Sequence, residues 1–459
     1  MKRGYITIFF ALIFVLLASF ILSIFEGIKI NARRLKAECA FSIAENSVLG
    51  EYQKELLETY DLFYVDTAYK TGLPDYHQIE AHLWRYLEKN YGDTPASVEI
   101  CQITMATDNQ GTPYRKQISD YMKDKIGISY VEQLTSLFNE VSKEGFLEED
   151  KDIESAVDTS WQETLAQMEA IPEDTWKSIE RYCPIKEVKN VRNSFVLSQV
   201  IENEATLSKK EVDITDCVSG RTRITGTGTD EKQTLLDKIY FIAYVFEKFT
   251  YFSQDETDNS LDYQIEYLIG GKGSDYENLS IVAKQLLLLR ESINLAYLFT
   301  DEEKMSLIEE ISAALAALVM CPEIEPIISI LFVGLWSYAE SVMDVKLLLA
   351  GEKVPLFKSK ESWNTDLDSG FDVTFSSNES AKTEDGMDYK QYIELLLLFS
   401  NNEKITYRSM DLIEMHIRET EGNENFRMDG CAEDFLVNIV FDISGFGSYQ
   451  IVRKFGYFS

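Results

Sequence analysis

Residues 1–34 read MKRGYITIFFALIFVLLASFILSIFEGIKINARR. Two bases lead into a long apolar run, and charge returns at Glu26 and Lys29. The run from Tyr5 to Phe25 is broken only by Thr7, Ser19 and Ser23. As a helix rising ~1.5 Å per residue it crosses a ~30 Å hydrocarbon layer. A secretory signal core is shorter, roughly 7–15 residues, and ends in a small-x-small cleavage site. Ser23-Ile24-Phe25-Glu26 is a poor site of that kind, so a retained anchor is expected.

The helical pattern continues past this run. Ile28, Ala32, Leu35, Cys39, Ile43, Leu49, Tyr52, Leu56 and Tyr60 recur at steps of mostly three and four, with no proline among them. That spacing predicts an amphipathic stalk helix over 26–60 with one apolar stripe. The stripe Ala32, Leu35, Cys39, Ile43, Leu49 and Leu56 needs a packing partner, either a later domain of the chain or neighbouring copies. Bases flank the anchor on both sides: Lys2 and Arg3 before it, and Lys29, Arg33, Arg34 and Lys36 after it. Counting bases alone would put the large domain inside the cell, a rule that large translocated domains can override.

At 459 residues, the chain is long enough for two or three domains. A hydrophobic content of 45% with 12% aromatics supplies a real core. The net charge of −33 repels phosphate backbones, so no nucleic acid partner is expected. The six cysteines, Cys39, Cys101, Cys183, Cys217, Cys321 and Cys431, form no C-x-x-C pair, and their spacing selects no disulfide pattern.

Along the rest of the chain, DLFYVDT (61–67) is β-prone and SVEICQITMA (97–106) alternates as a strand. DNQGTPY (108–114) reads as a loop, 116–147 and 152–170 as amphipathic helices, and 185–206 as a further helix. The polar stretch holding Gly220, Gly226 and Gly228 reads as a linker. Residues 230–350 are strongly helical. Asp230 with Gln233, Ser274 with Glu277, and Thr300 with Glu303 mark expected helix starts. IISILFVGLWSYA (327–339) is too short to span a bilayer and reads as a buried core helix. Phe371, Val373 and Phe375 alternate as a strand, 388–419 reads as two helices, and 435–442 and 449–457 are late strands. The fold class is therefore α+β: early and late strands share one small antiparallel sheet, and a mainly helical middle is inserted between them. The segments are a basic start (1–4), an anchor (5–25), the stalk (26–60), a first sheet part (61–115), a helical segment with linker (116–228), a helical domain (229–356) and closing helices and strands (357–459).

The residues carry little catalytic chemistry. The three histidines are His77, His82 and His416, and His77 and His82 are five apart, which is not the spacing of two metal ligands on one helix face. Neither H-E-x-x-H nor G-x-S-x-G occurs. IGGKGSDYENL is not a phosphate loop, because it lacks G-x-x-x-x-G-K-[ST]. Asp255, Glu256, Asp258 and Asp262 read as a solvated acidic loop, without a calcium-loop glycine. Arg290, Glu291, Asn294, Glu340 and Asp344 stand in apolar helices, and Arg408 and Asp411 lie a turn apart. These charges read as a structural ion-pair network, with a carboxylate-pair active site as the sharper alternative. No catalytic residue, metal or cofactor is expected.

The layout Lys2-Arg3-Gly4, apolar helix, Glu26-Gly27, then Asn31-Ala32-Arg33-Arg34 resembles the amino-terminal module of TadE- and TadG-like proteins of the Tad pilus machinery. The chain is also similar to an uncharacterised family of larger proteins from Gram-positive anaerobes that look like components of Tad-like pilus or secretion clusters. The resemblance lies in EYQKELLETYDLFYVDT, LDYQIEYLIGGKGSDYENL, LLLLRESINLAYL, WSYAESVMDVKLLLAGEKVPLFK, YKQYIELLLLF and YRSMDLIEMHIRE, in that order. It implies an anchored, non-catalytic component with its large domain outside the cell. The implied partners are the membrane and other pilus or secretion proteins, with self-association through the stalk left open. Prepilin-type processing would fall at Gly4-Tyr5. The main Tad pilins carry glutamate then tyrosine where this chain has Phe9 and Phe10, which argues against a major pilin.

Overall fold

The computed structural model describes residues 2–145, 174, 177, 197–201, 203–228, 233–254, 259–367, 375–377, 386–443 and 447–457, arranged in two compact units. The sheet unit combines Met1–Gln117, Arg221–Lys232 and Ile413–Ser459. The helical unit combines Ile118–Gly220 and Gln233–Leu412. The helical middle is thus inserted between the parts of the sheet unit, and it extends to Leu412, beyond the boundary near 356 suggested by composition.

The first helix, α1 (Lys2–Leu49), is a single 48-residue element joining anchor and stalk. It stops before the expected end at residue 60. Gly50 donates to Asn46 O, and the chain turns so that Tyr52 bridges Val65 and Gln53 N reaches Tyr64 O at 2.8 Å. A glycine and a competing extended pairing end the helix there. A separate short helix, α2 (Lys54–Tyr60), follows and is closed by Asp61 at φ 57. Strand β1 (Val65–Asp66) precedes α3 (Tyr76–Tyr91), whose Asp75 cap accepts from His77 N and whose Gly92 stop lies at φ 77. Strand β2 (Ser97–Met105) leads into α4 (Asp108–Lys123). The loop expected at 108–114 shrinks to Asn109, Gln110 and Gly111, all at positive φ, before regular helix.

Four further strands follow: β3 (Thr365–Leu367), β4 (Phe375–Ser377), β5 (Cys431–Ile443) and β6 (Gly447–Gly456). β5 is the spine of one antiparallel sheet, pairing with β2 from Ser97↔Val440 to Met105↔Ala432 and with β6 from Asp434↔Gly456 to Ile443↔Gly447. β1 joins its start through Val65↔Ala432. Early and late strands therefore do share a sheet. The strand expected near 371–376 does not join it: β4 pairs with β3 in a separate two-stranded ribbon, and residues 371–374 lie outside the described residues.

Alternation along β5 buries Phe435, Val437, Ile439 and Phe441 completely. That face packs with Ala37, Ala40, Phe41, Ala44 and Val48 of α1 and with Ile79, Leu83, Leu87 and Tyr91 of α3. Each large apolar side chain so buried contributes ~1.5–3 kcal/mol. Ala37, Ala40 and Ala44 take up little room on this face beside the larger Phe41 and Val48. The expected linker belongs to this unit in part. Gly226 N and Gly228 N donate to the Asp108 carboxylate at 2.6 and 3.0 Å, and a Cβ at Gly226 would collide with Ile103 O.

The helical unit contains α5 (Ile128–Glu144) and helices Leu235–Lys248, Gln264–Gly270, Asp275–Thr300, Glu302–Leu318, Glu325–Leu349 and Tyr389–Phe399; a last helix, Asn402–Arg418, begins in it. Its starts differ from those expected. Thr234 with Asp237 forms the capping box, while Asp230 lies outside the described residues. Asp301, not Thr300, caps the next helix by accepting from Lys304 N. Ser274 makes no side-chain cap. Asp275 instead accepts from Ser208, Asp262 N and Tyr263 N, which a buried carboxylate requires. The apolar run 327–339 lies in the 25-residue helix Glu325–Leu349, which is long enough to cross a membrane, contrary to the expectation from length; its apolar residues are mostly buried in this unit, whereas those of the first half of α1 are bare. The helices expected over 152–170 and 185–206 lie mostly outside the described residues; of the latter, short 3-10 turns at Leu197–Gln199 and Glu204–Thr206 are described.

Candidate functional site

Helix α1 carries two distinct apolar faces. Ala37, Ala40, Phe41, Ala44 and Val48 are buried in the sheet unit. Ala32 and Cys39 are exposed, and Leu35 and Ile43 are 66% and 48% exposed. At 100° per residue the two sets centre on opposite sides of the helix. The expected stripe from Ala32 to Ile43 therefore does not meet the protein's own core, while Leu49 is half-buried and Leu56 fully buried. Toward the amino terminus the helix is bare: Tyr5 is 76% and Phe14 73% exposed. Gly4 lies within the helix, immediately before Tyr5.

Polar contacts fix the stalk on the sheet. Arg453 pairs with Glu38 and Glu45 and sits over the Phe41 ring at 4.9 Å. Tyr449 OH donates to Glu38 at 2.6 Å, and Arg34 lies over the Tyr449 ring. Just after α1, the Glu51 carboxylate accepts from Tyr69 OH at 2.7 Å and Tyr86 OH at 2.6 Å, and lies 2.9 Å from His82 Nδ1. The bond to Glu51 pushes the Tyr86 hydroxyl pKa up. His77 pairs with Glu80 and His416 with Tyr60 OH, so the three histidines serve three separate contacts. Among the described residues, no group of histidine, cysteine and acidic side chains is placed to hold a metal.

In the helical unit the structure brings Arg290, Glu340 and Asp344 together. Arg290 Nε donates to Asp344 Oδ2 at 2.9 Å, and its Nη1 reaches Leu356 O, Pro355 O and Tyr392 OH. The cation that completes the group is Lys358, at 2.5 Å from Glu340 Oε1 and 2.7 Å from Asp344 Oδ1. All four side chains are fully enclosed. Glu340 also accepts from Asn364 N and from Thr365 N and Oγ1. Burial and then the neighbouring Asp344 push the Glu340 pKa up, against the pull of Lys358. Two positive and two negative groups balance, as buried charge requires. Both carboxylates are enclosed and bound by these partners within the unit.

The other predicted residues have different partners. Glu291 is buried, with its carbonyl accepting from Ser337. Arg408 donates to Leu268 O and Ile269 O, and burial lowers its pKa. Asp411 accepts from Ser219 and from Tyr267 OH at 2.7 Å. In the acidic loop, Asp262 binds Lys210 at 2.8 Å, and 255–258 lie outside the described residues. Lys358, Asn364 and Thr365 carry no periodic signal in the sequence, because they follow the Glu325–Leu349 helix in an aperiodic segment. The signal available was Glu340 and Asp344, one turn apart in an apolar helix, which demand a cation.

A cleft of about 350 Å³ lies in the same unit, lined by Ile293, Ala296, Tyr297, Thr300 and Phe357 with Glu140 and Glu144, and bordered by Lys358, whose side chain is itself enclosed. Beside it, the Lys304 ammonium lies 5.3–5.9 Å from the rings of Trp363, Tyr297 and Trp336 and 3.0 Å from Asp301. The aromatic faces and the carboxylate together hold this cation.

No curated protein and no solved structure matches the chain. A model described as a family of unknown function, DUF5702, matches residues 174–443, a span that reaches the end of β5 and begins well after α1. That match covers more than half of the sequence, and the chain belongs to the DUF5702 family.

Proposed function

We propose that the protein is a single-pass, membrane-anchored, extracytoplasmic component of a Tad-like pilus or secretion apparatus, acting without catalysis as a minor pilin-like subunit or assembly factor. The observation that carries this reading is α1. This helix is long and apolar enough to cross a membrane, continues as a stalk, packs on an antiparallel sheet through one face and leaves Leu35, Cys39 and Ile43 exposed on the other. A helix with one face buried and a second apolar face exposed is suited to joining neighbours. The TadE- and TadG-like layout of residues 2–34 supplies the context and favours an outside location. In a Cys39→Ser background, cysteines placed at Ala32 or Ile43 are expected to crosslink in cells to another protein of the apparatus. Cysteines at Ala40 or Ala44, on the buried face, are expected not to. Absence of any crosslink from Ala32 and Ile43 contradicts the assembly role. A second reading, an anchored surface-binding module, rests on the cleft beside Tyr297 and Phe357. It gains ground only if Phe357→Ala abolishes function while the crosslinks stay absent.

A further inference from the structure

Lys358 is enclosed in the helical unit with two carboxylates within reach of its Nζ: Glu340 Oε1 at 2.5 Å and Asp344 Oδ1 at 2.7 Å. Holding these charges out of water is costly for each ion. Joining the amine to one carboxylate removes two of the charges and keeps the contact. The geometry points to an intramolecular isopeptide bond between Lys358 Nζ and Asp344 Cγ, formed by the protein's own groups with Glu340 as the proton relay.

Three features assign the roles. Asp344 Oδ2 receives Arg290 Nε at 2.9 Å and Asn294 Nδ2 at 3.0 Å, so the oxygen that takes up negative charge during attack already has two fixed donors. Asp344 Oδ1, facing Lys358, is the oxygen that can leave. Glu340 is held through Oε2 by Thr365 N and Oγ1, which keeps Oε1 against the amine. Its raised pKa suits a group that takes and returns a proton. The Trp363 ring, 6.0 Å from Nζ, helps wall off the site.

The reaction is a condensation. Lys358 passes a proton to Glu340 Oε1 and becomes a neutral amine. Its lone pair attacks Asp344 Cγ; the N–C bond forms and charge collects on Oδ2. Protons reach Oδ1 from Glu340 and from the nitrogen, the C–Oδ1 bond breaks and water leaves. Of the three ammonium hydrogens, one stays on the amide and two depart with the water. One positive and one negative charge vanish together, nothing is oxidised or reduced, and no co-reactant is needed. The product ties the Glu325–Leu349 helix to the segment that leads into β3.

Intact mass and peptide mapping of the full-length protein test this. The expected chain is lighter by one water and yields a branched peptide joining Asp344 to Lys358. Glu340→Gln and Lys358→Arg are expected to lose the branched peptide and to regain the full mass. Three results would overturn the proposal: separate, unmodified peptides for Asp344 and Lys358 in the wild type, a lost water without that branched peptide, or a branch ending at Glu340. Because the wild-type protein decides the matter, a variant that fails to fold does not obscure it.

Discussion

Glu266 is fully buried; its Oε1 accepts from Tyr389 OH at 2.7 Å and Phe252 N at 3.0 Å. Burial pushes its pKa from 4.5 up to about 7. The folded state therefore holds this proton over a pH range where the unfolded chain has released it. Its contribution is complete below the unfolded pKa and is lost as pH rises through about 7. Glu266→Gln keeps the shape without the titration. The variant is expected to match the wild type near pH 4 and to be the more stable by about 3 kcal/mol at pH 8. Urea unfolding at the two pH values measures this, and equal slopes with pH for both proteins would refute it. Arg290 serves Asp344 and four further acceptors from full burial. Arg290→Met strands those groups, so a loss of ~3–5 kcal/mol is expected in the same measurement.

For the elements, α1 gives the sharpest contrast. Phe41 is fully buried and meets the Phe455 ring edge-on at 6.0 Å. Phe41→Ala is expected to cost ~3–5 kcal/mol of unfolding free energy. Leu35→Ser and Ile43→Ser on the opposite face are expected to stay within ~0.5 kcal/mol while weakening association with neighbours. A large stability loss from Leu35→Ser would mean that the exposed face is part of the core. The continuity of anchor and stalk is legible in the sequence from its three- and four-residue spacing without proline; the end at Leu49 is not, because that spacing runs on to Tyr60. Which face meets the sheet is also not legible, since the helical spacing fits either of two apolar faces. The strand at 435–441 is legible for the opposite reason: strict alternation admits only one buried face. Helix starts are less so: Asp301 competes with the adjacent Thr300, and hydrogen-bond geometry decides.

For the whole molecule, the sequence conveys the plan of an early and late sheet enclosing a helical insertion, because the strand patterns lie at the two ends of the chain. It conveys half of the buried node. Arg290, Glu340 and Asp344 stand out against apolar helices, whereas Lys358, Asn364 and Thr365 reach them only through tertiary folding. The proposed role needs an anchor that stays in place and a domain that lies outside. Protease treatment of intact cells, with mass spectrometry of the membrane-retained fragment, tests both at once. The expected result is digestion of the region after residue 26, with a fragment containing Tyr5–Phe25 left in the membrane. Protection until the cells are permeabilised, or a mature chain beginning after Phe25, would contradict it.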